Sequence, residues 1–224
     1  MTAESYIFLA GASRGVGREI AKCLVAQNQP VKALLRSENS RSDLEAMGIK
    51  VVRGDALDAA ALQQAMLGDE KVKAVISTIG GLPKDGQRAD YLGNKNLIDA
   101  AVKARVQKFI LISSIGSGES AVAVPPQALE TLKPVLLEKE QAEKYLQASG
   151  LTYTVVRPGG LKSEPATGKA VLTEDYRVAG TIHRPDVAQL VCKCLFSDAA
   201  NYKILSAFDR EMMYGQTEFE EFNL

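Results

Sequence analysis

At 224 residues, 46% of them hydrophobic, the chain is long enough to bury one sizeable core as a single domain. Its 27 basic residues balance 27 acidic ones, so no overall field draws it to nucleic acid or to an anionic membrane, and any anion site has to be local. One histidine and three cysteines, with no histidine cluster, argue against a metal centre, a disulfide framework or a Ser/His/Asp triad. The first predicted element is a strand over residues 7–10, apolar throughout, and three glycines follow it within Gly11-Ala12-Ser13-Arg14-Gly15-Val16-Gly17. Val16, Ile20 and Leu24 then recur at helical spacing, so the stretch reads as strand, tight turn and helix start. Gly11 permits the sharp turn, Gly15 lets the backbone approach a pyrophosphate, and Gly17 lets the helix pack close to the strand. The free N–H groups at the helix start face the anion, with Ser13 and Val16 in the same turn.

A second strand over 31–35 ends at Arg36. In dinucleotide-binding folds the end of this strand holds an acid when the ribose has a free 2′-hydroxyl and a base when it carries a phosphate. Arg36, with Arg14 in the glycine turn, therefore favours NADP(H) over NAD(H) through the guanidinium's fork of donors. The alternative is a pair of solvated loop arginines. A short helix over 43–47 and a strand over 50–52 lead into Gly54 and Asp55. Asp55 is placed to accept from the adenine amino group, with Ala56 and Leu57 packing on the ring. Asp58 is placed to cap a helix over 59–66.

Strand four, over 73–77, runs into Thr78, Ile79, Gly80 and Gly81, where glycines permit close approach to a ribose or pyrophosphate. A polar loop over 83–88 precedes a helix over 91–104. The apolar run over 108–112 ends in Ser113 and Ser114, the pattern of a strand buried on both faces that opens on a site. Residues 115–134, rich in glycine and proline, are expected to frame the substrate side, and a helix over 135–148 follows. A sixth strand over 151–157 runs into Pro158, Gly159, Gly160 and Leu161. Residues 167–172 read as a small hairpin arm, 181–184 as an extended piece, 186–196 as a helix opened by Pro185, and 202–206 as a last strand. Strands alternating with helices imply one α/β domain over 1–224, a Rossmann-type doubly wound parallel sheet with substrate-side segments near 115–134 and 161–184.

Taken together these residues resemble the short-chain dehydrogenase/reductase superfamily over nearly the whole chain. The glycine turn looks like its cofactor loop, and Gly54-Asp55, 78–81, Ser113-Ser114 and 157–160 fall where that superfamily lines its cofactor cleft. Residues 91–101 and 138–150, and the order of Pro158-Gly159-Gly160 before Thr167-Gly168, are similar to the atypical NmrA-like NAD(P)-binding members and to biliverdin-IXβ reductase/flavin reductase. The glycine spacing departs from that branch and matches the superfamily's common enzymes. Catalysis departs further: typical members carry a Tyr-x-x-x-Lys pair, and here Lys139 fits the lysine while Val135 stands where the tyrosine would be.

A ketone reductase needs a proton donor beside the forming alkoxide, a contribution of roughly 10²- to 10⁴-fold in rate, so ordinary carbonyl chemistry is not expected. The resemblance implies hydride transfer to a planar conjugated acceptor such as a flavin, quinone or biliverdin-like molecule, where positioning does most of the catalysis. Ser114 falls at the superfamily's active-site serine; it either meets the substrate or merely ends a buried strand. Lys139 either holds the nicotinamide ribose or pairs with Glu143 on the helix surface. A non-catalytic NADP-binding redox sensor or assembly factor with a protein partner is the alternative, and a sugar-nucleotide epimerase-like activity comes third because there is little room for an extra substrate domain. The start shows no leader pattern and no run approaches a membrane span, so a monomeric cytoplasmic protein acting on a small-molecule substrate is expected.

Overall fold

The computed structural model describes residues 5–68, 70–80 and 88–224. Strands β1 (Tyr6–Ala10), β2 (Val31–Leu35), β3 (Lys50–Arg53), β4 (Val72–Ser77), β5 (Lys108–Ile112) and β6 (Tyr153–Pro158) alternate with five helices. These are α1 (Gly15–Ala26), α2 (Arg41–Ala46), α3 (Ala59–Leu67), α4 (Leu92–Lys103) and α5 (Pro126–Gln147). The rest of the chain supplies β7 (Gly160–Lys162), β8 (Ala170–Thr173), β9 (Val178–His183), α6 (Arg184–Phe196), β10 (Lys203–Asp209) and β11 (Met213–Gly215).

Strand β1 shows why the apolar runs are strands. Ile7 and Leu9 join Ile20 and Leu24 of α1, Leu44 of α2 and Val187 of α6 on one face of the sheet. Phe8 and Ala10 join Leu62 of α3, Leu97 of α4 and Leu146 of α5 on the other. A strand with helices on both faces has no solvent side, so polar alternation disappears. The main sheet runs β3-β2-β1-β4-β5-β6-β10-β8, with the order reversing between β1 and β4. Since β1 to β6 are mutually parallel, the segments that follow them share one edge of the sheet. Asp58 caps α3 as expected, accepting from the N–H groups of Ala60 and Ala61 at 3.0 Å each.

Three expectations need correction. The sheet is not wholly parallel: β8 lies antiparallel to β10, so residues 167–172 form no separate arm but lead into the edge of the main sheet. Val171, Leu172 and Thr173 are buried, and the open side of β10 gives their backbone groups a ladder. A second sheet, β11-β9-β7, stands beside the first, with β9 parallel to β7 and antiparallel to β11. Helix α5 begins at Pro126 rather than near Val135 and runs through Pro134. Pro126 suits a first helical turn, whereas Pro134 deletes one helix hydrogen bond in an exposed turn where water reaches the freed carbonyl. The segment 115–134 is therefore a 3-10 helix over Gly118–Ala123 between short turns, followed by the first turns of α5.

The acidic tail packs onto the domain. Phe219 meets Phe208 edge to face with ring centroids 5.1 Å apart, and the Phe222 N–H donates to the Leu172 carbonyl at 2.7 Å, covering the β8 edge.

Candidate cofactor and substrate site

The glycine turn is built by close approach. Gly11 has φ +97°, and a Cβ there would stand 2.3 Å from Thr78 Oγ1. A Cβ on Gly17 would stand 2.1 Å from the Gly11 carbonyl oxygen, so α1 packs against the turn only because residue 17 lacks a side chain. Thr78 fastens this arrangement, its hydroxyl 3.2 Å from both the Ala10 and Gly11 carbonyls. Its side chain therefore serves the turn from behind. Ser13, Arg14 and Gly15 are exposed, while Val16 is buried in the core and offers only its backbone. Helix α1 starts without a side-chain cap and without an acidic residue in its first turn. Among the described residues its leading N–H groups thus have no side-chain cap and no first-turn acid beside them, the arrangement that suits a phosphate group.

Arg14 and Arg36 stand exposed at this rim, and neither forms an ion pair among the described residues. Sequence reasoning overlooked two further guanidinium groups. Arg18 on α1 lies 3.5 Å from Asp43, and its Nη1 is buried without a hydrogen-bond partner among the described residues. Arg184, first residue of α6, holds Nε 3.7 Å from where a Cβ on Gly15 would be. The proline after Arg184 marked the helix start, but nothing local marked its approach to a loop far away in the chain.

In the segment expected to take the adenosine, Asp55 Oδ1 accepts from the Leu57 N–H at 2.9 Å, an Asx turn that fixes residues 55–57. Ala56 is buried toward α4, its carbonyl accepting from Asn96 Nδ2 at 3.0 Å, and Leu57 is half-buried. Of this trio, Asp55 and Leu57 are the partly accessible members. Ile79 accepts from Asn94 through its carbonyl at 3.3 Å. Gly81 and most of the loop predicted over 83–88 lie outside the described residues.

The opposite end is a dense polar network. Lys139 on α5 does not pair with Glu143; its Nζ lies 3.3 Å from Asp90 Oδ1, and Asp90 is fully buried. A Cβ on Gly80, at φ +157°, would stand 2.4 Å from that same Asp90 oxygen and 3.1 Å from Lys139 Nζ. Gly80 is thus the opening that lets the β4 loop lie over the Asp90–Lys139 pair. Glu143 turns inward instead, taking a bidentate pair from Arg157, Nη2 to Oε2 at 2.6 Å and Nε to Oε1 at 3.1 Å, with both residues buried. Ser113 donates its hydroxyl to Glu143, and Arg157 Nη1 donates to Glu119 at 3.0 Å. Burial works against the Arg157 charge, but the Glu143 carboxylate outweighs it and holds the guanidinium above its ordinary range. Ser113 therefore braces the site from beneath, whereas Ser114 is half-buried, donating to the Ile115 carbonyl at 2.9 Å. Pro158 is buried, Gly159 passes so close to β9 that a Cβ would stand 2.1 Å from the Gly180 carbonyl oxygen, and Gly160 and Leu161 are exposed on β7.

An open, doubly wound sheet with a glycine turn and an uncapped helix at its switch point defines a Rossmann-type dinucleotide-binding domain. The NAD(P)H-binding family model matches residues 11–198, and the chain belongs to that family. It is 33% identical over 215 residues to an uncharacterized chloroplastic protein of Arabidopsis thaliana, covering 91% of this chain and 76% of that one. It is 32% identical over 196 residues to the uncharacterized sugar epimerase YhfK of Bacillus subtilis, covering 84% and 87%. Among solved structures, the anaerobilin reductase ChuY from Escherichia coli O157:H7 superposes with a TM-score of 0.84 at 31% identity, covering 94% of this chain and all of that one. The fold is that of an NAD(P)H-binding oxidoreductase with reductase neighbours. No helix among the described residues is long and apolar enough to cross a membrane.

Proposed function

We propose that the protein is an NADPH-dependent reductase that delivers hydride to a planar conjugated acceptor of the bilin, flavin or quinone type. The observation that carries this reading is the state of the catalytic helix: Lys139 is retained and held by buried Asp90, while Val135 occupies the place of a proton-donating tyrosine. A site built this way still orients a nicotinamide ribose but has no phenol to protonate an alkoxide, which suits an acceptor that takes its proton from solvent or from its own periphery.

When bound, the nicotinamide supplies the hydride. The chain's part is to hold and aim it. The glycine turn and the start of α1 would take the diphosphate, Arg14 and Arg36 the 2′-phosphate, and Asp55 the adenine. Lys139 would take the ribose hydroxyls, while Ser114, Gly160 and Leu161 would border the nicotinamide and acceptor, flanked by residues 115–125 and 161–168. The name of ChuY, an anaerobilin reductase, supports a bilin as the acceptor. We further place the protein as a monomer in an aqueous, reducing compartment such as the cytoplasm, in keeping with three free thiols.

The test is steady-state oxidation of NADPH and NADH by the purified protein with biliverdin, free flavin and quinones. Turnover of at least one acceptor, faster with NADPH, is expected. Absence of turnover with all three acceptors, despite tight NADP⁺ binding, would overturn the reductase reading in favour of a redox sensor with a protein partner.

A further inference from the structure

Arg184 stands beside the start of α1, a helix end with no acid of its own in the first turn. It is the first residue of α6, and its Nε lies 3.7 Å from the position a Gly15 Cβ would take. Gly15 in turn begins α1. The positive end of α1 therefore meets a guanidinium that has no ion pair among the described residues. The start of α6 has its own counter-charge in buried Asp186, which lies in its first turn and accepts from the Thr167 and Gly168 N–H groups at 2.9 and 3.0 Å, whereas the start of α1 has no acid in its first turn. An anion at the start of α1 would lie against both that helix end and the Arg184 guanidinium.

The same guanidinium reaches a second segment. Its Nη1 donates to Ser163 Oγ at 2.7 Å, in the stretch that leaves β7 on the substrate side. That stretch is pinned from the same corner of the fold: His183 Nδ1 donates to the Pro165 carbonyl at 2.6 Å, and Asp186 holds residues 167 and 168. The turn from β9 into α6 thus grips residues 163–168 and extends one charge to the glycine turn.

We infer that Arg184 is a ligand of the cofactor's diphosphate and that, through Ser163, it couples cofactor occupancy to the position of the 161–168 segment. This rests on the dinucleotide reading above and deepens it. A diphosphate contact is common to NADP and NAD and absent from adenosine 2′-monophosphate, which separates Arg184 from Arg14 and Arg36.

Calorimetry on the full chain with NADP⁺, NAD⁺ and adenosine 2′-monophosphate reads the first half. Arg184→Gln is expected to weaken both dinucleotides by a similar factor, about tenfold or more, and to leave adenosine 2′-monophosphate unchanged. Arg184→Lys keeps a point charge without the fork and should fall between wild type and Arg184→Gln, which preserves the test if the glutamine variant folds poorly. Limited trypsin cleavage at Lys162 and Lys169 reads the second half: NADP⁺ should protect these bonds in the wild type but not in Ser163→Ala. Wild-type affinity for both dinucleotides in Arg184→Gln, or weakening confined to ligands with a 2′-phosphate, would overturn the assignment. Undiminished protection in Ser163→Ala would overturn the coupling. Failure of the wild type to bind either dinucleotide would overturn the cofactor reading as well, an outcome distinct from a variant that simply matches a competent wild type.

Discussion

The two ends of the cleft handle charge in opposite ways. At the end proposed to take the phosphates, Arg14 and Arg36 lie exposed without ion pairs among the described residues, beside an uncapped helix start. At the far end Arg157, Glu143, Glu119 and Ser113 satisfy one another, and Lys139 has buried Asp90. On the proposed reading, one end leaves charge for a ligand to meet, and the other is set before any ligand arrives. Preorganisation belongs where orientation decides the chemistry, and open charge belongs where recognition needs strength and salt-screened reach.

The sharpest way to break this contrast is to unpair the preset end. Glu143→Leu would leave the buried Arg157 with only Glu119, and unfolding by denaturant should show a loss of about 3 kcal/mol or more, since an orphaned buried charge is costly. Gly17→Ala attacks the open end through its backbone. Its Cβ would press on the Gly11 carbonyl, so about 1–3 kcal/mol of stability and most dinucleotide affinity should disappear together, as melting and calorimetry would record.

Arg36→Ala leaves the backbone alone and should cost no measurable stability, because the side chain is exposed. It should weaken NADP⁺ by about ten- to a hundredfold while NAD⁺ changes little, the signature of one charge-assisted phosphate contact; equal weakening of both would contradict the assignment. The smallest effect is expected from Asp90→Asn, which removes the counter-charge of Lys139 but keeps the shape. The NADPH KM should rise about fivefold, a loss of about 1 kcal/mol in positioning, with kcat less affected.

Much of the open end was legible in the sequence because its information is local. Three glycines within seven residues, flanked by an apolar run and a helical repeat, sufficed to place strand, turn and helix, and β2 appears over the residues expected. The preset end was less legible because its partners are distant: Arg157 meets Glu119 across 38 positions and Glu143 across 14, and Lys139 meets Asp90 from another helix's entry. An i,i+4 rule suggested Lys139 with Glu143, and tertiary burial of Glu143 overrode it. Pro134 misled for a similar reason: as a stop signal it is strong, yet an exposed turn accommodated it. Residues 167–172 read as an arm because so short a stretch of sequence does not reveal which open edge it will join.

The central claim, that open cations at one end of the cleft select a dinucleotide bearing a ribose 2′-phosphate, is tested most directly by titrating the purified wild-type chain with NADP⁺ and with NAD⁺ in a calorimeter at two salt concentrations. The account predicts one site, NADP⁺ at least about tenfold tighter than NAD⁺, and an advantage that shrinks as salt rises. No heat with either, or equal affinity for both at low salt, would contradict it.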